Sequence, residues 1–488
     1  MAKFNAKTSR TPNAISYEGG SVYEKSPVEE WMNFLFSSYI EDRFYENSSK
    51  QLERFHKLTK EMLNCYGAEF VAKAAMFARN ELGMRSAAQY VASLMNGEIF
   101  ADKRIFFRNF CHRPDDVSEI FSVLDDLGDK RSHALVRGCG DYLSSLSSYT
   151  LGKYKLTNHA YNMYDLINIT HVHSDVIDAY KAGTLETPDT WETAISGAQD
   201  KTERDYEWIR LVEDRRLGYL ALIRNLRNIL NTDTGIDDAW VVKCLCPQLE
   251  DTQAIRKSMV YPYQIYSAYK NMGIRNPYVV ASLDFAFKAA INNMPVLSGN
   301  TAIILDVSGS MCSPISAKSN ITICEAGAVY AACVALKAEH CQIIKFATYA
   351  QEFKFNRVNL VFNEIAKMTK EDGCGWGTNL APAYHLLDKH YDRIMLISDM
   401  QIMDNPASRF GWESERDAMS AYKDYCREYG ITKLYSFDLG NYHTQTDNPN
   451  NPNIYLCTSL SEKTLKFINL LENGKSLVDY INDNYDYR

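Results

Sequence analysis

Apolar residues recur every three or four positions from Ser26 to about Asn293: Trp31, Phe34, Leu35 and Tyr39, then Phe70, Val71, Ala74, Phe77 and Ala78. A period near 3.6 gathers such residues on one face of a helix. The same spacing predicts helices at Val117–Leu127, Ala134–Leu146, Leu217–Leu230 and Val279–Ile291, separated by connectors such as Arg113-Pro114 and Asn276-Pro277. Many helices of middling length, with no comparable strand run among them, predict stacked helical pairs of the solenoid kind. No strict repeat period is visible. After Met294-Pro295-Val-Leu-Ser-Gly299 the texture changes. Strand-like runs at Ala302–Leu305, Gln342–Phe346, Arg393–Ile397 and Thr432–Phe437 alternate with helical stretches at Ile321–Ala338, Leu380–His390, Arg416–Tyr429 and Lys463–Leu471. That alternation predicts a doubly wound α/β domain, a parallel sheet covered by helices on both faces. The expected organisation is a polar N-terminal arm (1–25), a helical repeat domain (26–297) and an α/β domain (298–488).

The first predicted strand of the second half runs into Asp306-Val-Ser308-Gly-Ser310-Met311. One carboxylate and two hydroxyls at alternating positions point hard oxygen ligands at one spot, which suits Mg²⁺ or Mn²⁺ and not a thiolate metal. A D-x-S-x-S run alone is common in loops, so the company it keeps matters. Gly375-Trp-Gly-Thr378-Asn379 offers another hydroxyl on a glycine-rich loop, and Arg393-Ile-Met-Leu-Ile-Ser398-Asp399 is a second apolar strand ending in a carboxylate. Together these pieces resemble the metal-ion-dependent adhesion site of von Willebrand factor A domains. The resemblance implies that Asp306, Ser308 and Ser310 bind the metal directly and that Thr378 and Asp399 bind it directly or through water. One coordination position would then remain for an anionic oxygen from a partner.

Composition narrows the class. A length of 488 residues, 46% of them hydrophobic, allows two or three packed domains. The polar opening, Met1-Ala-Lys-Phe-Asn, lacks the apolar stretch of a secretory signal, and no later run approaches a membrane span, so a cytoplasmic protein is expected. The twelve cysteines are scattered, several of them inside apolar runs, and read as reduced small hydrophobes. Cys244-Leu-Cys246 is the single close pair and has no second pair or His to complete a zinc set. The net charge of −8 does not announce a nucleic-acid protein. Residues 298–488 hold 18 basic and 23 acidic groups against 35 and 38 before them, so a polyanion site must be a local patch.

Five segments of the helical half supply candidates for such a patch. They are Arg79-Asn-Glu-Leu-Gly-Met-Arg85-Ser86; Leu135-Val-Arg137-Gly-Cys-Gly-Asp-Tyr142 running into Leu151-Gly-Lys153-Tyr154-Lys155; Tyr164-Asp165-Leu166-Ile-Asn168-Ile-Thr-His171; Leu222-Ile-Arg224-Asn225-Leu-Arg227-Asn228; and Ile255-Arg256-Lys257-Ser258. In their order, followed by the adhesion-site motif, they resemble the TROVE module of the Ro autoantigen family over nearly the whole chain. The resemblance implies a ring of HEAT-like helical repeats closed by the A domain. It also implies a protein that performs no chemistry of its own and binds small noncoding Y-type RNA and the single-stranded 3′ ends of misfolded RNA. A nuclease or another protein with an acidic residue would meet the metal site, and neither a membrane nor DNA is an expected partner. The chain departs from the animal pattern at Met163, which stands where a His precedes the Asp matched by Asp165.

The residues make physical sense of that role as a set: Arg79, Arg85, Arg137, Lys153, Lys155, His171, Arg224, Arg227 and Arg256 are candidate RNA contacts. Guanidinium and ammonium groups on one surface hold phosphates without demanding a base sequence. Singly, each has a plainer reading. Arg224 and Arg227 read equally as partners of acids such as Asp214, His171 as an interior hydrogen-bonded histidine, and Tyr154 as core. An enzyme finds little support: Gly474-Lys475-Ser476 lacks the first glycine and preceding strand of a phosphate loop, and no His stands in visible relation to Ser308 or Ser310. The competing reading is a metal-dependent protein-binding adaptor.

Overall fold

A computed structural model describes residues 13–17, 19–37, 48–154, 156–185, 190–233, 236–294, 296–316, 319–403, 418–442, 444–447, 451–457, 468 and 476–488. The chain forms two compact units, one of Met1–Arg54 with Trp208–Ile468 and the other of Phe55–Glu207 with Asn469–Arg488. No helix among the described residues is long and apolar enough to cross a membrane.

The first unit is built on a six-stranded sheet. Its strands are β3 (Leu297–Asp306), β4 (Ala338–Phe346), β5 (Ala350–Phe353), β6 (Arg393–Ser398), β7 (Lys433–Asp438) and β9 (Ile454–Cys457), in the order β5-β4-β3-β6-β7-β9. All neighbours are parallel except the β4–β5 edge pair. Strands of a sheet covered on both faces read as unbroken apolar runs, and Ala302 to Asp306 are all fully buried. The helix Ile323–Lys337 lies so close to β3 and β6 that a Cβ on Gly327 would sit 3.0 Å from Ile397 and Leu305 side-chain carbons. The chain leaves β3 for β4 on one side and places β6 on the other, so the reversal of strand order falls between β3 and β6. Open α/β sheets put their ligand sites beyond the carboxyl ends of such a pair, and Asp306 and Ser398-Asp399 stand there.

The expected fold class holds: helices, then a parallel sheet layered by helices. Particular expectations shift. Residues 13–25 are no loose arm. β1 (Ala14–Ile15) pairs antiparallel with β2 (Ser21–Glu24), and β2 pairs with β8 (Thr444–Gln445); Val22 and Tyr23 enter the same core as Ile304, Phe346 and Leu396. Residue 297 is not where the units part either, because the helices before it cover the α/β domain. Tyr266 and Lys270 of the helix Pro262–Asn271 bond Glu325 Oε1 at 3.0 and 2.6 Å. Glu325 also closes the capping box of the helix Ile323–Lys337 with Thr322. The predicted helix Leu217–Leu230 breaks in two at Asn225, whose amide bonds back to Ala221 O at 2.9 Å. The predicted helix at 463–471 lies outside the described residues apart from Ile468.

The second unit is helical, with segments at Ser86–Leu94, Lys103–Phe110, Pro114–Asp126, His133–Ser144 and Met163–Thr170 among others. Ser132 Oγ accepts from Leu135 N at 3.3 Å, and Asn162 and Asp165 form a capping box, which fix two of these starts. The tail joins this unit: Tyr487 is fully buried and packs against Phe100 and Phe106. All twelve cysteines are free thiols, as their scatter predicts.

The seam between the helices at 262–290 and the α/β domain rests on Phe362, 2% exposed, stacked on Tyr269 at 4.0 Å and edge-on to Phe287 at 6.0 Å. Phe362→Ala should cost about 3–5 kcal/mol of stability in denaturant unfolding. A loss below about 1 kcal/mol would show that the seam does not support the fold.

Candidate metal centre and basic surfaces

At the carboxyl edge of the sheet, Asp306 and Asp399 are 0% and 1% exposed, and Ser308, Ser310 and Thr378 are buried around them. Asp306 Oδ1 accepts from Ser308 N at 2.9 Å and Oδ2 from Ser398 Oγ at 2.6 Å. The two serine hydroxyls stand 3.5 Å apart, and Ser310 donates to Asp399. Thr378 reaches the site through its loop: Gly309 N donates to Trp376 O at 3.1 Å, and Met403 N donates to Thr378 O at 2.9 Å. A Cβ on Gly377 would meet Met403 Sδ at 2.4 Å and Thr348 Oγ1 at 3.1 Å, so a side chain there would have to displace the Met403 side chain. Burial, and next the charge of Asp306, push the Asp399 carboxyl up to about 8.

Two buried carboxylates that destabilise each other, set among hydroxyls, fit a hard divalent cation, which would remove the repulsion. Among the described residues no group of three or more His, Cys, Asp or Glu side chains gathers as a cage. The candidate donor set is therefore two carboxylates plus hydroxyls: Asp306, Ser308, Ser310 and Asp399 lie together, and the loop carrying Thr378 is bonded to Gly309 through Trp376 O. Ser398, missed in the sequence, holds Asp306. Its signal was its position at the strand end, one residue before Asp399.

The basic candidates scatter by role. Arg79 is 6% exposed and grips both oxygens of Asp116, at 2.9 and 2.6 Å, so its fork is committed inside the unit. Arg85 bonds Asp115 at 2.6 Å, and Lys153 pairs with Glu192 at 2.9 Å. Tyr154, expected in the core, is half-buried and takes Arg113 Nε on its hydroxyl at 3.1 Å. His171 is exposed and ends its helix with φ 52°, which excludes the interior-histidine reading. Lys155 lies outside the described residues. Arg137 is exposed and, with Arg104 and Arg108, acts on Asp141, whose carboxyl is held low chiefly by its bond to Arg104. Arg256 is exposed in the last turn of its helix.

Arg224 and Arg227 are exposed, and among the described residues neither forms an ion pair with Asp214 or another acid. Both line a cavity of about 350 Å³ with Tyr263, Gln264, Ser267 and Asn271. Sequence spacing identified the arginines but not the opposite wall, because that wall comes from a helix some forty residues away.

Comparison with known proteins agrees with this layout. Residues 160–277 match the TROVE domain family, which takes in Arg224, Arg227 and the opposite wall of their cavity. No curated protein matches the chain in sequence. The crystal structure of the Ro (RSR) protein of Deinococcus radiodurans aligns with a TM-score of 0.62 at 16% identity, covering 90% of this chain and 98% of that one. The chain thus carries a segment, residues 160–277, that matches the TROVE domain family, and along nine-tenths of its length it shares the fold of a bacterial Ro protein.

Proposed function

We propose that this protein binds RNA in the manner of the Ro family, holding small noncoding Y-like RNA and single-stranded ends of misfolded RNA as a ribonucleoprotein scaffold in RNA quality control. The observation that carries this reading is the cavity inside the TROVE-matched segment, where two exposed guanidinium groups share the lining with a tyrosine, two amides and a hydroxyl. Guanidinium forks hold phosphate oxygens, an aromatic ring offers a face for an unstacked base, and neutral hydrogen-bonding groups meet the sugar or base edge. Such contacts favour single-stranded over duplex RNA. The protein is a binding scaffold in this reading, without chemistry of its own.

A second role for the α/β domain is favoured by what surrounds Asp306 and Asp399. Trp376 and Tyr349 are each 66% exposed on loops whose backbones are tied to the site, Tyr349 N donating to Cys374 O at 2.8 Å. Large aromatic side chains held open on a fixed loop are typical anchors of protein interfaces. With Mg²⁺ or Mn²⁺ held by Asp306, Ser308, Ser310, Thr378 and Asp399, this face would take an acidic side chain of a partner such as a nuclease. The cation would supply the positive charge for that contact, and the residues around it set its orientation.

Arg224→Glu with Arg227→Glu should weaken single-stranded RNA binding at least tenfold and flatten the salt dependence of log K by about two contacts. Equal affinity and equal salt slope in the folded double mutant would remove the cavity from the RNA site. Arg79→Ala should act differently, costing about 3–5 kcal/mol of stability by taking from the buried Asp116 the cation bonded to both its oxygens; a stable variant with selectively lost RNA binding would reverse that assignment. Mn²⁺ at a hundredfold excess over its Kd should stabilise the wild type by about 2.7 kcal/mol and leave Asp306→Ala unmoved. The Asp399 carboxyl holds its proton below about pH 8, so a cation must displace that proton there. Mn²⁺ affinity should therefore rise with pH towards 8 and level off above it; an affinity flat from pH 6 to 8 would show that Asp399 takes no part.

A further inference from the structure

Three carboxylates, not two, end strands at this edge of the sheet. β7 finishes in Asp438, in register with Ser398 of β6, and is 1% exposed. The next residues bind it to the metal-site strand: Leu439 N donates to Ser398 O at 2.9 Å, and a Cβ on Gly440 would lie 2.7 Å from Asp399 O. By position, Asp438 is a neighbour of Asp399. By bonding, it is spoken for. Its Oδ1 accepts from Gly440 N at 2.9 Å and Asn441 N at 3.0 Å, and its Oδ2 accepts from Asn33 Nδ2 at 2.7 Å and from the Lys25 ammonium.

Lys25 is an unusual partner. Its side chain and that of Asp438 are both 0% exposed, and its ammonium also donates to Tyr442 O. A buried ammonium is costly unless it is paired and hydrogen-bonded, and both conditions are met here. The segment that delivers it comes from the far end of the sequence. The β1–β2 hairpin grips the loop after Asp399 on its way: Ser16 Oγ and Gly20 N both donate to Ile402 O, and Tyr17 N donates to Gln401 Oε1 at 2.9 Å. Gln401 N in turn donates to Asp399 Oδ1 at 3.2 Å.

We propose that Lys25 is an internal counter-cation that withholds Asp438 from the metal seat, fixing the seat at two carboxylates so that it matches a divalent ion. The proposal rests on the reading of Asp306 and Asp399 as that seat. Three uncompensated carboxylates would exceed the charge of a divalent ion and favour a trivalent one. With the lysine in place, the third carboxylate is cancelled before any ion arrives. Lys25 is a positioning and selectivity residue here, not a ligand.

The test is a double-mutant cycle in the full-length protein, reading Mn²⁺ and Tb³⁺ affinity by calorimetry and melting temperature alongside. Lys25→Met should tighten Mn²⁺ about tenfold or more, because it removes the positive charge that cancels Asp438 beside Asp399. Tb³⁺ should gain more than Mn²⁺. Asp438→Asn should weaken Mn²⁺ by a similar factor, because it leaves an ammonium uncompensated beside the seat. The double variant, which removes both charges, should return to within about threefold of wild type and remains informative should Lys25→Met unfold. If both single variants weaken Mn²⁺, or neither changes it while the wild type binds, Lys25 serves packing alone and the proposal fails. If the wild type binds neither ion, the metal reading itself falls and takes this one with it.

Discussion

A parallel sheet has to be covered on both faces, because its crossing connections and its unbroken apolar strands leave no side fit for water. Most of what is unexpected in this chain follows from that constraint. The helices between 208 and 297 belong with the sheet that follows them, since Tyr266 and Lys270 bond Glu325 and Tyr269 and Phe287 pack on Phe362. Residues 13–25 return to the same unit for the same reason, with Val22 and Tyr23 supplying apolar cover that the strands need. The covering segments also carry polar groups, and these end up at the carboxyl edge, where charge is concentrated.

The fold class was legible because it rests on periodicity, which is local. The strands at Ala302–Leu305, Gln342–Phe346 and Arg393–Ile397 all lie within observed strands, and the loop after Asp306 falls where the strand order reverses. The five candidate residues at the sheet edge were legible for a related reason: each sits at or just after a strand end or in a glycine turn, both of which are local features. Boundaries were less legible. Asn225 divides a helix that its apolar pattern would have continued, through a side-chain bond that no hydrophobic count registers.

The basic residues were the least legible. An arginine on a helix looks alike in sequence whether it meets an acid or solvent, and the acids that decide the matter lie 30 to 39 residues away. Arg79 and Arg85 found Asp116 and Asp115; Lys153 found Glu192. Arg224 and Arg227 found none among the described residues, and these two face the cavity. The reading that treated all of them as one set was silent on this partition.

The buried tail has a consequence in time. Tyr487 Oη donates to Ala101 O at 3.0 Å, Asn109 donates to Tyr487 O at 3.0 Å, and Tyr485 packs edge-on to Phe77 at 5.0 Å. These partners are separated by about four hundred residues of chain. On the ribosome, the helices around Phe77 and Phe106 therefore emerge long before the aromatic residues that finish their packing. Their apolar surface waits while the whole α/β domain is translated, a delay that exposes the nascent chain to aggregation and to chaperones.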